Sequence, residues 1–96
     1  MKNNLDDETL IKLSYVNISS YRVNVVKTLK DDVKTPTKIA KDSGIRTNHI
    51  SKVLKELKDS GVAECINEEV RKGRLYRLTD VGDEIVEYLS SNEKFV

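Results

Sequence analysis

The stretch I-R-T-N-H-I-S-K-V-L-K-E-L, residues 45–57, is apolar on one side and cationic on the other. Its apolar residues are Ile45, Ile50, Val53, Leu54 and Leu57, and from Ile50 onward they recur at helical spacing. Thr47, Asn48, Ser51, Lys52 and Lys55 fall on the other face. The pattern predicts one helix with two jobs. One face packs into a small core, and the other presents hydrogen-bonding groups and positive charge.

The flanks give this helix a setting. Upstream, Thr35-Pro36 is a sharp helix start: threonine caps, and proline sits at the first helical position, where its missing N–H is harmless. A short helix over Pro36 to Asp42 follows, with Ile39 and Ala40 inward, and Gly44 supplies a turn before Ile45. Either Arg46 or Thr47 takes the cap position of the next helix, which ends at Ser60-Gly61, where Gly61 suits a left-handed C-cap. Downstream, Val62 to Asn67 and Leu75 to Leu78 read as strands joined by E-E-V-R-K-G-R, an antiparallel hairpin with glycine near its tip. Tyr76 and Leu78 share a face by alternation and are expected to point inward.

The two ends are helical. Leu5 to Val16 carries Leu10, Ile11, Leu13 and Val16 and opens near Asp6 or Asp7. Asn17 to Ser20 breaks it, and Ser19 or Ser20 caps a second helix, Tyr21 to Leu29, with Val23, Val26 and Leu29 as its buried stripe and Val25 nearby. Asp31 to Lys34 is a loop. Thr79 caps a last helix, Asp80 to Ser90, whose stripe is Val81, Ile85, Tyr88 and Leu89; Ser91 to Val96 is expected to fray. The fold class that emerges is mainly α with a small β-hairpin, in one domain over residues 1–96. Its parts are a helix-turn-helix at 36–60, a hairpin at 62–78 and a C-terminal helix at 80–90.

Composition narrows the function. The chain has 96 residues, 38% of them apolar, so it forms one core. No apolar run is long enough for a transmembrane helix, and M-K-N-N-L-D-D-E lacks the apolar core of a signal peptide, so the expected location is cytoplasmic. The single cysteine, Cys65, precludes an internal disulfide and is expected as a strand residue inside the fold. One Cys and one His, far apart, make a poor metal site, and no metal or other cofactor is expected. The lone histidine, His49, has no carboxylate beside it in sequence, no nucleophile–base pair stands out, and an enzyme is not expected.

Net charge is +1, but its distribution is uneven. Residues 34–58 carry seven Lys/Arg against Asp42 and Glu56, for +5, and residues 71–77 carry Arg71, Lys72, Arg74 and Arg77 for +4. Residues 59–70 and 78–96 each sum to −4. The positive blocks coincide with the amphipathic helix and the hairpin tip, which is the distribution a nucleic-acid-binding surface needs.

Helix, turn, helix and basic hairpin in this order resemble the winged helix-turn-helix transcription regulators of bacteria and archaea, in the ArsR-like and MarR-like groups. T-P-T-K-I-A-K-D-S-G-I (35–45), S-K-V-L-K-E-L-K-D-S-G-V (51–62) and G-R-L-Y-R-L-T-D-V-G (73–82) carry the resemblance, and S-S-Y-R-V-N-V-V-K-T-L (19–29) looks like a helix of many archaeal members. The resemblance implies a sequence-specific regulator of double-stranded DNA. Its recognition helix, 46–59, would lie in the major groove, and its basic wing, 68–74, would lie on the backbone or in the minor groove. The implied DNA-binding set is Lys38, Arg46, Thr47, Asn48, His49, Ser51, Lys52, Lys55, Arg71, Lys72 and Arg74. Asn pairs with adenine and Arg or Lys with guanine, while Lys38, Lys41 and Lys55 suit phosphates. Arg22 meets either a phosphate or an internal acid. A homodimer would use Leu10, Leu13, Ile85, Tyr88 and Leu89. The alternative is a winged-helix interaction module that does not touch DNA, since fold does not fix function. RNA binding by stacking is disfavoured by the few aromatics, 5% of the chain.

Overall fold

The structure, a computed structural model, describes residues 5–93. In chain order these form α1 (Asp7–Asn17), α2 (Ser20–Thr28), α3 (Pro36–Ser43), α4 (Thr47–Asp59), β1 (Ala63–Cys65), β2 (Tyr76–Leu78) and α5 (Asp80–Glu93). Most helix starts are sealed by a side chain. The Thr9 N–H donates to the Asp6 carboxylate at 2.8 Å, a bond that holds this acid below the usual carboxylate range. Ser19 caps α2 through the Arg22 N–H, Thr35 caps α3 through Lys38, and Thr79 caps α5 through Gly82. α4 differs: Arg46 occupies its N-cap with extended backbone and no side-chain hydrogen bond. Thr47 is therefore the first residue of the helix and not its cap.

The helices close on one cluster in which Val16, Val25, Val26, Ile39, Leu57, Val62 and Ile85 have no measurable exposure. α4 contributes Ile50, Val53, Leu54 and Leu57, the face expected from its spacing. β1 and β2 pair antiparallel, Ala63 with Leu78, Glu64 with Arg77 and Cys65 with Tyr76. These strands are shorter than the sequence implies, because pairing beyond Cys65 is a single bond, Ile66 N–H to Leu75 carbonyl, followed by side-chain bonding. Lys34 exchanges both backbone bonds with Tyr76 at 3.0 and 2.8 Å. The loop before α3 is thus laid against the free edge of β2, a pairing one residue long that leaves no period in the sequence.

Several expectations need correction. In α1 the buried residues are Thr9, Leu13 and Val16, whereas Leu10 and Ile11 face outward. Three of the proposed dimer residues, Leu13, Ile85 and Leu89, are consumed by the chain's own core. Among the described residues the exposed large apolar side chains are Leu10, which belongs to that set, and Ile11, Ile18, Tyr21, Val33 and Ile66. α5 continues past Ser90 to Glu93, since Val86 and Leu89 give its far half an anchor; the rest of the segment expected to fray, residues 94–96, lies outside the described residues.

The T-D-V-G turn ties hairpin and last helix together. The Thr79 hydroxyl lies 2.6 Å from the Gly61 carbonyl oxygen and 3.1 Å from that of Val62, and the Thr79 N–H donates to Val62 at 3.0 Å. Gly82 sits against this carbonyl so closely that a Cβ would collide with the Val62 oxygen and touch Leu78 Cβ at 3.0 Å. Gly82→Ala is expected to destabilise the fold by about 2 kcal/mol, overpacking outweighing a gain of up to ~1 kcal/mol in helix propensity, which lowers Tm by roughly 10 °C. Gly44→Ala, where space is open but φ is +77°, is expected to cost about 1 kcal/mol from backbone strain alone. Thermal and urea unfolding measure both; a Gly82→Ala protein as stable as the parent would refute the close approach.

Candidate nucleic-acid interface

α3, the turn at Gly44 and α4 form the helix-turn-helix. Gly44 takes the left-handed conformation and Ile45 drops into the core. The Ser43 hydroxyl steadies the turn by accepting the Ile45 N–H at 3.3 Å and donating to the Ala40 carbonyl at 3.4 Å. With the apolar face of α4 buried, Arg46, Thr47, Asn48, His49, Ser51, Lys52 and Lys55 are all exposed. Asn48, Ser51, Lys52 and Lys55 follow one another at helical spacing on the outward face. His49 lies to one side. Its ring packs against Tyr21 of α2, with centroids 5.3 Å apart and planes at 47°.

The charged candidates divide into paired and unpaired. Lys38 bonds Asp42 at 3.2 Å, and Lys34 bonds the same carboxylate at 2.8 Å; the Lys34 bond is the main reason this acid sits below its usual range. Lys55 bonds Asp59 at 3.0 Å, four residues on. Arg22 is the internal ion pair: it lies against Glu56 of α4 at 3.1 Å. Lys41, Arg46, Lys52, Arg71 and Lys72, by contrast, have no charged or hydrogen-bonding side-chain partner among the described residues, and all are exposed.

The wing, E-E-V-R-K-G-R between its strands, is closed by side-chain bonds to its own backbone. Asn67 closes it by accepting the Leu75 N–H at 2.8 Å and donating to the Gly73 carbonyl at 3.2 Å. Arg74, expected to reach outward with Arg71 and Lys72, is folded back: Nε donates to the Val70 carbonyl at 2.7 Å and Nη2 to that of Glu68 at 3.1 Å. Its donors hold the tip in shape because the turn leaves these carbonyls without strand partners. Lys58 joins the wing to α4 through Glu68 at 2.6 Å. This bond raises the lysine and lowers the carboxylate from their usual ranges. The tie therefore loosens only as pH falls through the lowered Glu68 value or rises through the raised Lys58 value, and it is intact at neutral pH. Between α4 and the wing runs a groove of about 340 Å³ lined by Ser51, Lys55, Lys58, Arg74 and Tyr76, among others.

The sequence does not show the clasp made by Asn67 or the partner of Tyr21. An asparagine at the end of a strand is a weak signal for a turn clasp, and nothing in the sequence pairs Tyr21 with His49. Cys65 is half-buried, its thiol 3.5 Å from the Asn67 side-chain oxygen. Among the described residues no group of three or more His, Cys, Asp or Glu is placed to hold a metal, and no helix is long and apolar enough to cross a membrane.

No family model matches the sequence, and no curated protein does. Solved structures do match. A protein of E. coli described as a predicted DNA-binding transcriptional regulator superposes with a TM-score of 0.70 at 17% identity, over 88% of this chain and 90% of its own. ZitR of Lactococcus lactis, in its apo form, gives 0.69 at 18% identity over 91% of this chain. A MarR family transcriptional regulator of Silicibacter pomeroyi gives 0.67 at 19% over 93%. The chain spans 66% of the length of each of the latter two. At such identities the likeness is one of architecture: the chain has the winged helix-turn-helix fold of MarR-like transcription regulators.

Proposed function

We propose that this chain is a sequence-specific, double-stranded DNA-binding transcription regulator, a homodimer working in the cytoplasm without catalytic activity of its own. The observation that carries the reading is the placement of unpaired positive charge. Lys41, Arg46, Lys52, Arg71 and Lys72, the described cations without a partner, occupy the helix-turn-helix and the wing tip, while those elsewhere are engaged. An interaction module has no need to gather unpaired cations at these positions in particular. The proteins that share the fold include ones described as transcriptional regulators, which agrees with this reading.

In this account α4 enters the major groove with Asn48, Ser51 and Lys52 toward base edges and Arg46 and Thr47 at its leading end. The uncapped first turn of α4 leaves backbone N–H groups for a phosphate oxygen. Lys38, Lys41 and Lys55 lie along the backbone. Lys55 exchanges Asp59 for phosphate at little loss, because an exposed pair of this kind contributes ~0.5 kcal/mol or less. Arg71 and Lys72 reach DNA from the wing, with Arg74 as their support. His49 steadies α4 from the side. The apolar side chains exposed on α1 and just after it, Leu10, Ile11 and Ile18, supply the surface for a second subunit, which doubles the base pairs read.

Selection from a random duplex pool, followed by titration against salt, tests the proposal. Lys52→Ala and Asn48→Ala are expected to weaken binding to the selected site by about 1–3 kcal/mol with less effect on a scrambled duplex. Arg71→Ala should weaken both alike and reduce the salt slope by about 1. Failure to bind any duplex at low salt would sink the reading in favour of a protein-interaction module. The wing adds a separate expectation: Arg74→Ala should accelerate tryptic cleavage after Arg71 or Lys72 by about tenfold while leaving the global Tm within a few degrees, because it releases a local unit. Cleavage at the parent rate would show that the carbonyl bonds do not hold the tip.

A further inference from the structure

The first turn of α2 carries two adjacent residues that both reach α4. Tyr21 packs its ring on His49, in the first turn of α4. Arg22 directs Nε to the Glu56 carboxylate at 3.1 Å. His49 and Glu56 are seven residues apart, two helical turns, or about 10 Å along the axis. A helix held at one point pivots; held at two points this far apart, it has a fixed tilt and a fixed rotation.

Arg22 is itself held. Its Nη1 donates to the Tyr15 carbonyl at 2.8 Å, at the end of α1, and its guanidinium lies 3.8 Å from the centre of the Tyr15 ring. Its N–H is taken by the Ser19 cap. The side chains of Arg22 and Glu56 are only 14% and 25% exposed, so solvent screens the pair less than it screens Lys55 and Asp59. The planar fork bonds two acceptors on two helices at once, which lysine cannot reproduce. Neither residue adds net charge to the candidate DNA face, because each neutralises the other.

From this geometry we infer that Arg22 and Tyr21 are positioning residues for base readout: by gripping Glu56 and His49 they set the angle of α4, and so govern discrimination between sequences, not general affinity for duplex. The inference rests on the DNA-binding reading above. It deepens that reading by separating the residues that aim the helix from those that touch DNA.

The experiment uses the full chain, a duplex selected from a random pool, and a scrambled duplex of equal length. Binding to both is measured at one salt concentration, well below the melting temperature. Glu56→Ala, and the double variant Arg22→Ala with Glu56→Ala, are expected to lower the ratio of the two affinities by about tenfold, the scale of one well-aimed base contact. The double variant keeps the parent's net charge, so its affinity for the scrambled duplex and its salt slope should stay unchanged. Glu56→Gln keeps an acceptor oxygen for Arg22 and should recover the ratio to within about threefold. Tyr21→Leu should lower it as Glu56→Ala does, which keeps the test decisive if the double variant does not fold. A folded Glu56→Ala or double variant with an unchanged ratio overturns the positioning role and leaves DNA binding standing. A parent protein that binds no duplex overturns both.

Discussion

The structure depends on the burial of one face of α4. Ile50, Val53, Leu54 and Leu57 lie within the core, almost without exposure, and each is worth roughly 1.5–3 kcal/mol when fully removed from water. This seam orients the helix about its axis. Once these residues point inward, Asn48, Ser51 and Lys52 have no option but to point outward. α2, α3 and the strand after Gly61 are arranged as the walls that receive the seam. The first turn of α5 then closes the structure over Val62, where the absence of a side chain at Gly82 lets helix and carbonyl meet.

Charge is used differently on the two sides of the molecule. Away from the helix-turn-helix and the wing tip, cations are matched with acids, as in Lys12 with Glu8 and Lys30 with Glu87. Such exposed pairs add little stability, commonly below ~1 kcal/mol. Their larger effect is on the field, since they cancel charge where it is not used. The remaining unpaired positive charge is concentrated on the helix-turn-helix and the wing tip. A chain of net charge +1 thereby gathers its unpaired cations on one set of elements.

How much of this is legible in the sequence varies with the physics involved. Periodicity is local and repeated, so the faces of α3 and α4 follow from Ile39, Ile50, Val53 and Leu57, and caps such as Asp6, Thr35 and Thr79 follow from residue type. The faces of α1 do not, because Leu10 and Ile11 interrupt the stripe and the buried member that completes it is Thr9. The Lys34–Tyr76 bridge is invisible because one residue has no period. At the candidate site, exposure of the α4 residues is deducible, but their engagement is not. Lys55 and Lys52 look alike in sequence, and each has an acid one turn on, but Arg22 of α2 holds Glu56 while Asp59 bonds Lys55. Arg74 and Arg71 look alike too, and what separates them is a turn whose carbonyls Arg74 alone can reach.

That last difference matters for the field as well as for shape. Lys55 and Lys58 bond carboxylates, so each loses most of its charge as seen from a distance. Arg74 bonds carbonyls, which are neutral, and its positive charge survives intact. The wing tip therefore keeps the charge of Arg71, Lys72 and Arg74 against Glu69, because the other wing acid, Glu68, is cancelled by Lys58. A carboxylate clasp in place of the carbonyls would have held the tip as firmly and halved its attraction for a phosphate backbone. Using backbone oxygens and the neutral Asn67 amide to fold the wing lets one hairpin be rigid and cationic together. These two properties usually oppose each other, since the groups that pin a cation most strongly are the ones that neutralise it.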